Sequence, residues 1–220
     1  MKKNSLLVFI LILVFHYSSI SQNHFLIFAG PQATSAIYKI KDVKQETQFK
    51  YGLQAGIGWK ILFDIRLFFA PEIYYSMKGY KVILKDHAFP PSIFAKNNNT
   101  TVHTIDFIPM LQYDFGNHPA HLFMKVGAGV DFVFSGREKF DLSTGETIDR
   151  KMVFSFADYG RITSNAIVQF GYETAGGILF FGHYTHGLGS LNNADGGPVI
   201  RHRIIGISIG KYLNRKNSEG

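Results

Sequence analysis

Segment after segment of this chain alternates apolar and polar residues with a period of two. From Phe49 to Ile61, one parity holds Phe49, Tyr51, Leu53, Ala55, Ile57, Trp59 and Ile61, and the other holds Lys50, Gly52, Gln54, Gly56, Gly58 and Lys60. Successive side chains of a strand point to opposite faces, so this run sets an apolar face against one of glycine and polar groups. The same pattern recurs over Leu67–Met77, Ile105–Phe115, Leu122–Phe134 (with Lys125, Gly127, Gly129, Asp131 and Ser135 on the polar face), Ala166–Tyr172 and Ile205–Ile209. A soluble β-sandwich or secreted soluble barrel would also alternate, but its polar face would be rich in Lys and Glu. Here that face is heavy in glycine and carries only isolated charges of both signs, and charged residues make up 18% of the chain, below the roughly 25% of ordinary soluble domains. The apolar face also carries aromatics near the segment ends (Tyr51, Trp59, Tyr75, Tyr113 and Tyr172), where membrane interfaces favour Tyr and Trp.

The N-terminus reads as an address. Lys2 and Lys3 precede the apolar run Leu6–Phe15, and Ser19-Ile20-Ser21 offers small residues for cleavage, the pattern of a secretory signal peptide. The run is too short for a spanning helix, which needs roughly 20 residues. The expected organisation is a signal peptide over 1–21, a barrel over 22–213 and a polar tail over 214–220. The formal charge of +7 falls by the two leader lysines to 7 − 2 = +5. The chain has no Cys, which excludes a disulfide scaffold, Cys-ligated zinc, iron–sulfur clusters and a Cys nucleophile.

Without a second long apolar run, a membrane-embedded mature chain must be a closed β-barrel, because lipid offers backbone polar groups no partner. The expected fold is all-β: an eight-stranded antiparallel transmembrane up-and-down barrel of outer-membrane type. Its strands are expected near 23–34, 49–61, 65–80, 103–115, 121–135, 157–173, 178–188 and 201–213. Turns after strands two, four and six are short. The connections 35–48, 81–102, 136–156 and 189–200 are long and polar, so both chain ends fall on the short-turn, periplasmic side. Pro109 lies inside a strand pattern and predicts a local bulge or bend.

The segments Phe28-Ala29-Gly30, Pro71-Glu72-Ile73-Tyr74-Tyr75-Ser76-Met77-Lys78-Gly79, Ile105-Asp106-Phe107-Ile108-Pro109, Val126-Gly127-Ala128-Gly129, Tyr184-Thr185-His186-Gly187-Leu188-Gly189-Ser190-Leu191-Asn192 and Gly210-Lys211-Tyr212-Leu213 run in order along the chain. Together they resemble the PorT-like outer-membrane β-barrel family of Bacteroidota. The resemblance covers essentially the whole mature chain and implies an integral outer-membrane barrel. Its named member works in protein secretion and gliding. The chain departs from the family at Leu213, where members usually end in the Phe read by the barrel assembly machinery, and at His183, where the family often has Arg.

Searches for catalytic motifs return little. Gly56-x-Gly58 and Gly127-x-Gly129 lie inside strand patterns with no following helix, so they are not nucleotide loops. Scattered basic residues give no nucleic-acid stripe. His183 and His186 are three apart on a strand, hence on opposite faces, and cannot easily share a metal ion with His202. Gly182-His183-Tyr184-Thr185 echoes the His-x-Ser pair of barrel lipid A deacylases, with Thr for Ser and with both groups facing inward. Arg66, Glu72, Lys78, Lys125, Asp131, Arg161 and Glu173 fall on the inward parity, and buried charges must pair. A network is therefore expected, with Glu72 between Arg66 or Lys125 and Arg161, and His183 also facing the lumen. An eight-stranded interior is just wide enough to be filled by side chains, so no diffusion pore is expected.

The expected protein is non-enzymatic, with no cofactor or metal and with a structural, binding or assembly role through its long loops. Its expected surroundings are outer-membrane lipid and lipopolysaccharide, the barrel assembly machinery, and a periplasmic or surface protein partner.

Overall fold

A computed structural model describes residues 24–213; the expected signal peptide and polar tail lie outside the described residues. The described residues form thirteen antiparallel strands: β1 (His24–Ile40), β2 (Val43–Lys44), β3 (Glu46–Gln48), β4 (Lys50–Asp64), β5 (Leu67–Phe69), β6 (Glu72–Ile83), β7 (Asn97–Ile108), β8 (Met110–Phe115), β9 (His121–Asp141), β10 (Thr147–Lys151), β11 (Ile162–Glu173), β12 (Ile178–Gly187) and β13 (Val199–Tyr212). Eight of these, β1, β4, β6, β7, β9, β11, β12 and β13, close into a ring in which each pairs with the next. Closure is made by β13 on β1, from Leu26 opposite Tyr212 to Lys39 opposite Val199. β5 and β8 continue the wall at one end, and β2, β3 and β10 extend hairpins at the other. Among the described residues no helix is long and apolar enough to cross a membrane.

The alternation becomes an inside and an outside. Gly52, Gln54, Gly56, Gly58 and Lys60 face the lumen from β4, while Tyr51, Leu53, Ala55, Ile57 and Trp59 face out. On β9 the outward apolar run extends from Leu122 to Phe134, twelve residue steps, or about 40 Å along the strand and about 30 Å along a barrel axis at the usual tilt. That height matches a hydrocarbon core. Outward rings mark both rims of the band. Phe25 meets Trp59 edge-on, and Tyr113 meets Phe115 edge-on, at the short-turn end. At the other end Tyr75 stacks on His103, and Tyr184 lies beside His186, each tyrosine hydroxyl hydrogen-bonded to its histidine.

Proline positions show where the wall steps aside. Pro109 separates β7 from β8, and Pro71 lies between β5 and β6 on the adjoining stave. Neither ring can donate to a ladder. The wall bends there, with Ala70 N–H donating to Met110 O and Trp59 N–H to Pro71 O. The first strand does not break at Gly30-Pro31 but runs on to Ile40, turning back through Lys41 and Asp42 at positive φ. The expected loop 35–48 is therefore largely strand. The fourth and fifth staves likewise reach beyond their expected ends, to Asn97 and Asp141, whereas the sixth starts only at Ile162.

A bulge corrects one face assignment. His103 pairs with Ser135 but Thr104 with Val133, leaving Phe134 as an extra residue. The parity of β9 switches there, so Ser135 is exposed rather than inward, and Glu138 and Phe140 turn inside. One added residue flips every side chain beyond it.

Inward glycines let the staves approach. A Cβ at Gly129 would strike Phe107 O and would lie 2.8 Å from Ile108 Cα, whereas one at Gly176, in the last short turn, would meet nothing within 4 Å. Gly129→Leu should abolish the heat-dependent shift in gel migration of the purified protein in detergent, because overpacking against backbone costs at least about 1–3 kcal/mol. Gly176→Ala should leave that shift intact.

Candidate functional site: the lumen and its cap

Three buried lysines and five buried carboxylates from non-adjacent parts of the chain meet inside the ring. Nearest the short turns, Lys60 Nζ lies 2.6 Å from Asp114 Oδ2 and 2.9 Å from Glu173 Oε2. His121 Nε2 is 3.0 Å from the same Asp114 oxygen, and Gln112 donates to Asp114 Oδ1 at 2.7 Å. In a second group Lys125 Nζ meets Glu72 Oε1 at 2.7 Å, and Gln169 donates to Glu72 Oε2 at 2.9 Å. A third joins Lys78 Nζ to Asp106 and Asp131, both at 2.7 Å. Asp106 and Asp131 stand directly opposite on paired strands, where like charges repel; the Lys78 ammonium between them turns the repulsion into a bridge. Thr104 and Asn165 donate to the remaining oxygens of Asp106 and Asp131, and Thr163 shares Asp131 Oδ2 with Lys78.

Apolar layers enclose these groups. Phe28, Tyr74, Phe123, Phe181 and Tyr212 belong to one cluster and Tyr38, Tyr80, Tyr159, Val102 and Ile200 to another nearer the long loops. The loops themselves enter the second cluster through Ala88, Met152, Tyr159 and Leu191. Glu138, wholly buried, accepts from Arg150 Nε at 2.8 Å and from the Tyr159 hydroxyl at 2.7 Å. Arg150 also donates to Pro91 O at 3.0 Å, and Tyr38 to Pro90 O at 3.3 Å, tying the 84–96 connection across the mouth. Burial first, then the charge of Glu138 among its neighbours, holds the Tyr159 phenol well above its usual range, so it stays a donor.

Of the residues expected inside, Glu72, Lys78, Lys125, Asp131, Glu173 and His183 are buried. Arg66 and Arg161 are not. Arg66 is exposed in the turn between β4 and β5, and Arg161 is exposed beside Phe154 just before β11. Both fall inside expected strands, 65–80 and 157–173, but Arg66 lies between β4 and β5 and β11 begins only at Ile162; neither approaches Glu72, which Lys125 and Gln169 hold instead. Lys60, Asp106, Asp114 and His121 complete the groups; all four lie on lumen-facing parities, but nothing in the spacing says which partner each meets across the lumen. His183 faces the lumen with Nδ1 3.3 Å from Gln54 Nε2, which also donates to Ser208 at 2.9 Å. His186 is on the other face with Tyr184.

Asp114, His121 and Glu173 place ligand atoms within 4.8 Å of one another. The Lys60 ammonium already bonds both carboxylates, so the cluster satisfies itself as an ion-pair cage. Thr185 and His183 both face the lumen, so neither presents a nucleophile to lipid.

Removing one member of a buried pair strands the other charge at about 3–5 kcal/mol. Lys125→Met should lower the unfolding free energy of the refolded barrel, read from a denaturant titration, by that order, and Lys125→Met with Glu72→Gln should recover most of the loss.

The model of the outer membrane protein beta-barrel domain family matches residues 13–193. No curated protein matches in sequence. Among solved structures, the attachment invasion locus protein Ail of Yersinia pestis, in complex with the heparin analogue sucrose octasulfate, is similar at 11% identity and TM-score 0.46, covering 88% of this chain and 100% of its own. Neisserial surface protein A is similar at 14% and 0.45, covering 88% and 100%. The outer membrane enzyme PagL is similar at 12% and 0.40, covering 83% and 99%. The family match spans most of the chain and agrees with the closed ring, its apolar exterior and its packed polar interior: the chain belongs to the outer membrane protein beta-barrel domain family, and its place is the outer membrane.

Proposed function

We propose that this eight-stave barrel is a sealed, non-enzymatic scaffold that presents a preorganised extracellular cap for binding. The observation that carries the reading is the continuity of the fill: ion-pair groups and two apolar clusters occupy the lumen, and the loops close it through Glu138, Arg150 and Tyr159. Loops on a rigid wall usually carry recognition. This cap also leaves large apolar side chains in water, with Phe156 95% exposed and Ile93, Phe94 and Val153 about half exposed, as a partner-binding surface would.

A second reading, a component of a protein secretion apparatus like the named PorT-like member, is favoured by the placement of the resembling segments. Pro71–Gly79 supplies Glu72, Ser76 and Lys78 to the lumen, and Ile105–Pro109 supplies Asp106. A periplasmic partner captured by crosslinking in cells, lost on substitutions in the short turns, would favour that role over surface binding. A lipid A deacylase would need an outward nucleophile; His183→Ala and Thr185→Ala should leave lipid A acylation unchanged by mass spectrometry.

Planar-bilayer recordings of the purified protein should show no large, steady conductance. Arg150→Ala should open the cap. Protease added to intact cells is then expected to cut within 84–96 and 152–161 several-fold faster, with gel migration of the barrel unchanged.

A further inference from the structure

Above the apolar band on the β6–β7–β9 side, the outer wall carries cations in register. Lys81 stands opposite Asn99, and Asn99 opposite Lys139, in one row. Neighbouring strands are about 4.8 Å apart, so the two lysines start about 10 Å from each other with Asn99 between them. One row nearer the band lie Gly79, Thr101 and Arg137. Because Gly79 has no side chain there, Lys50 reaches across it, with its Cδ placed 3.3 Å from where a Cβ would stand. Its ammonium donates to Asn99 Oδ1 and Thr101 Oγ1 at 2.6 Å and to Thr100 O at 2.9 Å. All three acceptors are neutral, so the charge remains.

Two carboxylates lie nearby and both feel the charge of Lys139, Asp141 lining the groove itself. Asp141 accepts from Asn97 at 2.7 Å and Thr147 at 2.6 Å, and Asp149 accepts from Arg137 at 2.6 Å. Among the described residues no carboxylate lies within 4 Å of the ammonium of Lys50, Lys81 or Lys139. The row floors a groove of about 290 Å³ that Gln48, Asn97 and Asp141 also line. Directly below, the Tyr75–His103–Phe134 rings mark the upper rim of the apolar band. The groove thus sits at the height of lipid headgroups. Among the described residues the opposite rim carries scattered outward cations, Lys211 one of them.

We propose that Lys81, Lys139 and Lys50 form a binding site for a phosphate of an outer-leaflet glycolipid, with Asn99 positioned between the two lysines to donate to it. The occupant follows from charge and depth: a concentrated positive patch, hydrogen-bond donors, and an apolar wall beneath it for acyl chains. The inference rests on the outer-membrane orientation argued above.

The test uses the purified full-length protein in non-ionic detergent, titrated with bisphosphorylated lipopolysaccharide, with the same glycolipid after dephosphorylation, and with inorganic phosphate. At about a factor of five per lysine near a charged lipid surface, K81A/K139A should bind the phosphorylated glycolipid roughly 30-fold more weakly. The dephosphorylated form should bind the parent protein with a similar deficit, and Lys211→Ala should bind as the parent does. Equal binding by K81A/K139A and the parent overturns the proposal, as does no binding by the parent. Inorganic phosphate binding as tightly as the glycolipid would make this a free-anion site, and a dimer dissociated by K81A/K139A would make it a contact between copies; either result overturns the lipid assignment. Each variant is also run on a gel with and without boiling. A retained shift with lost selectivity sinks only this inference, whereas absence of the shift in the parent sinks the barrel reading itself.

Discussion

Lipid supplies no hydrogen-bond partner, and every other property of this chain follows from that constraint. A sheet in such a solvent has to leave no edge, which the pairing of β13 with β1 accomplishes over twelve residue pairs. Closure divides the side chains into two populations with opposite needs. The outer set must be apolar over the thickness of the hydrocarbon, so Leu122 through Phe134 read as an unbroken alternate series. The inner set must fill a narrow tube, so glycines alternate with a few large or charged groups.

The lumen answers a problem the ring creates. Charges carried inside lose their hydration, and each would be costly alone. Three lysines each contact at least one carboxylate, and Gln112, Gln169, Thr104 and Asn165 take up oxygens the ammonium groups leave over. Because partners come from different staves, each group also ties staves that backbone ladders do not join directly: Lys125 on β9 to Glu72 on β6, and Lys60 on β4 to Glu173 on β11. The interior is in this sense a set of cross-struts.

Asymmetry between the two rims comes from the staves being longer than the bilayer is thick. At the short-turn end they stop near the band. At the other end β1, β6, β7 and β9 run on into water, and their outward residues change from Ile, Phe and Val to Lys, Arg, Asn and Thr. The Phe134 bulge falls at that boundary, so Glu138 and Phe140 point inward to receive Tyr159 and Arg150 from the loops. Cap and cationic outer wall are therefore two faces of one strand extension.

Period-two alternation is a property of covalent geometry, so the sequence by itself determined the strands, the two faces, the short-turn end and the inward placement of Glu72, Lys78, Lys125, Asp131, Glu173 and His183. The same parity misplaced Arg66 and Arg161, which lie past strand ends where alternation no longer applies. It also misplaced Ser135, because a single bulge residue inverts the count. Only the tertiary structure decided who meets whom inside. Sliding one strand against its neighbour by two residues leaves every side chain on its own face, yet changes every cross-lumen partner. Alternation is blind to that shift. The pairing of Lys125 with Glu72, the caging of Lys60 and the bridging of Asp106 and Asp131 by Lys78 are set by stagger and closure, which exist only once the ring is complete.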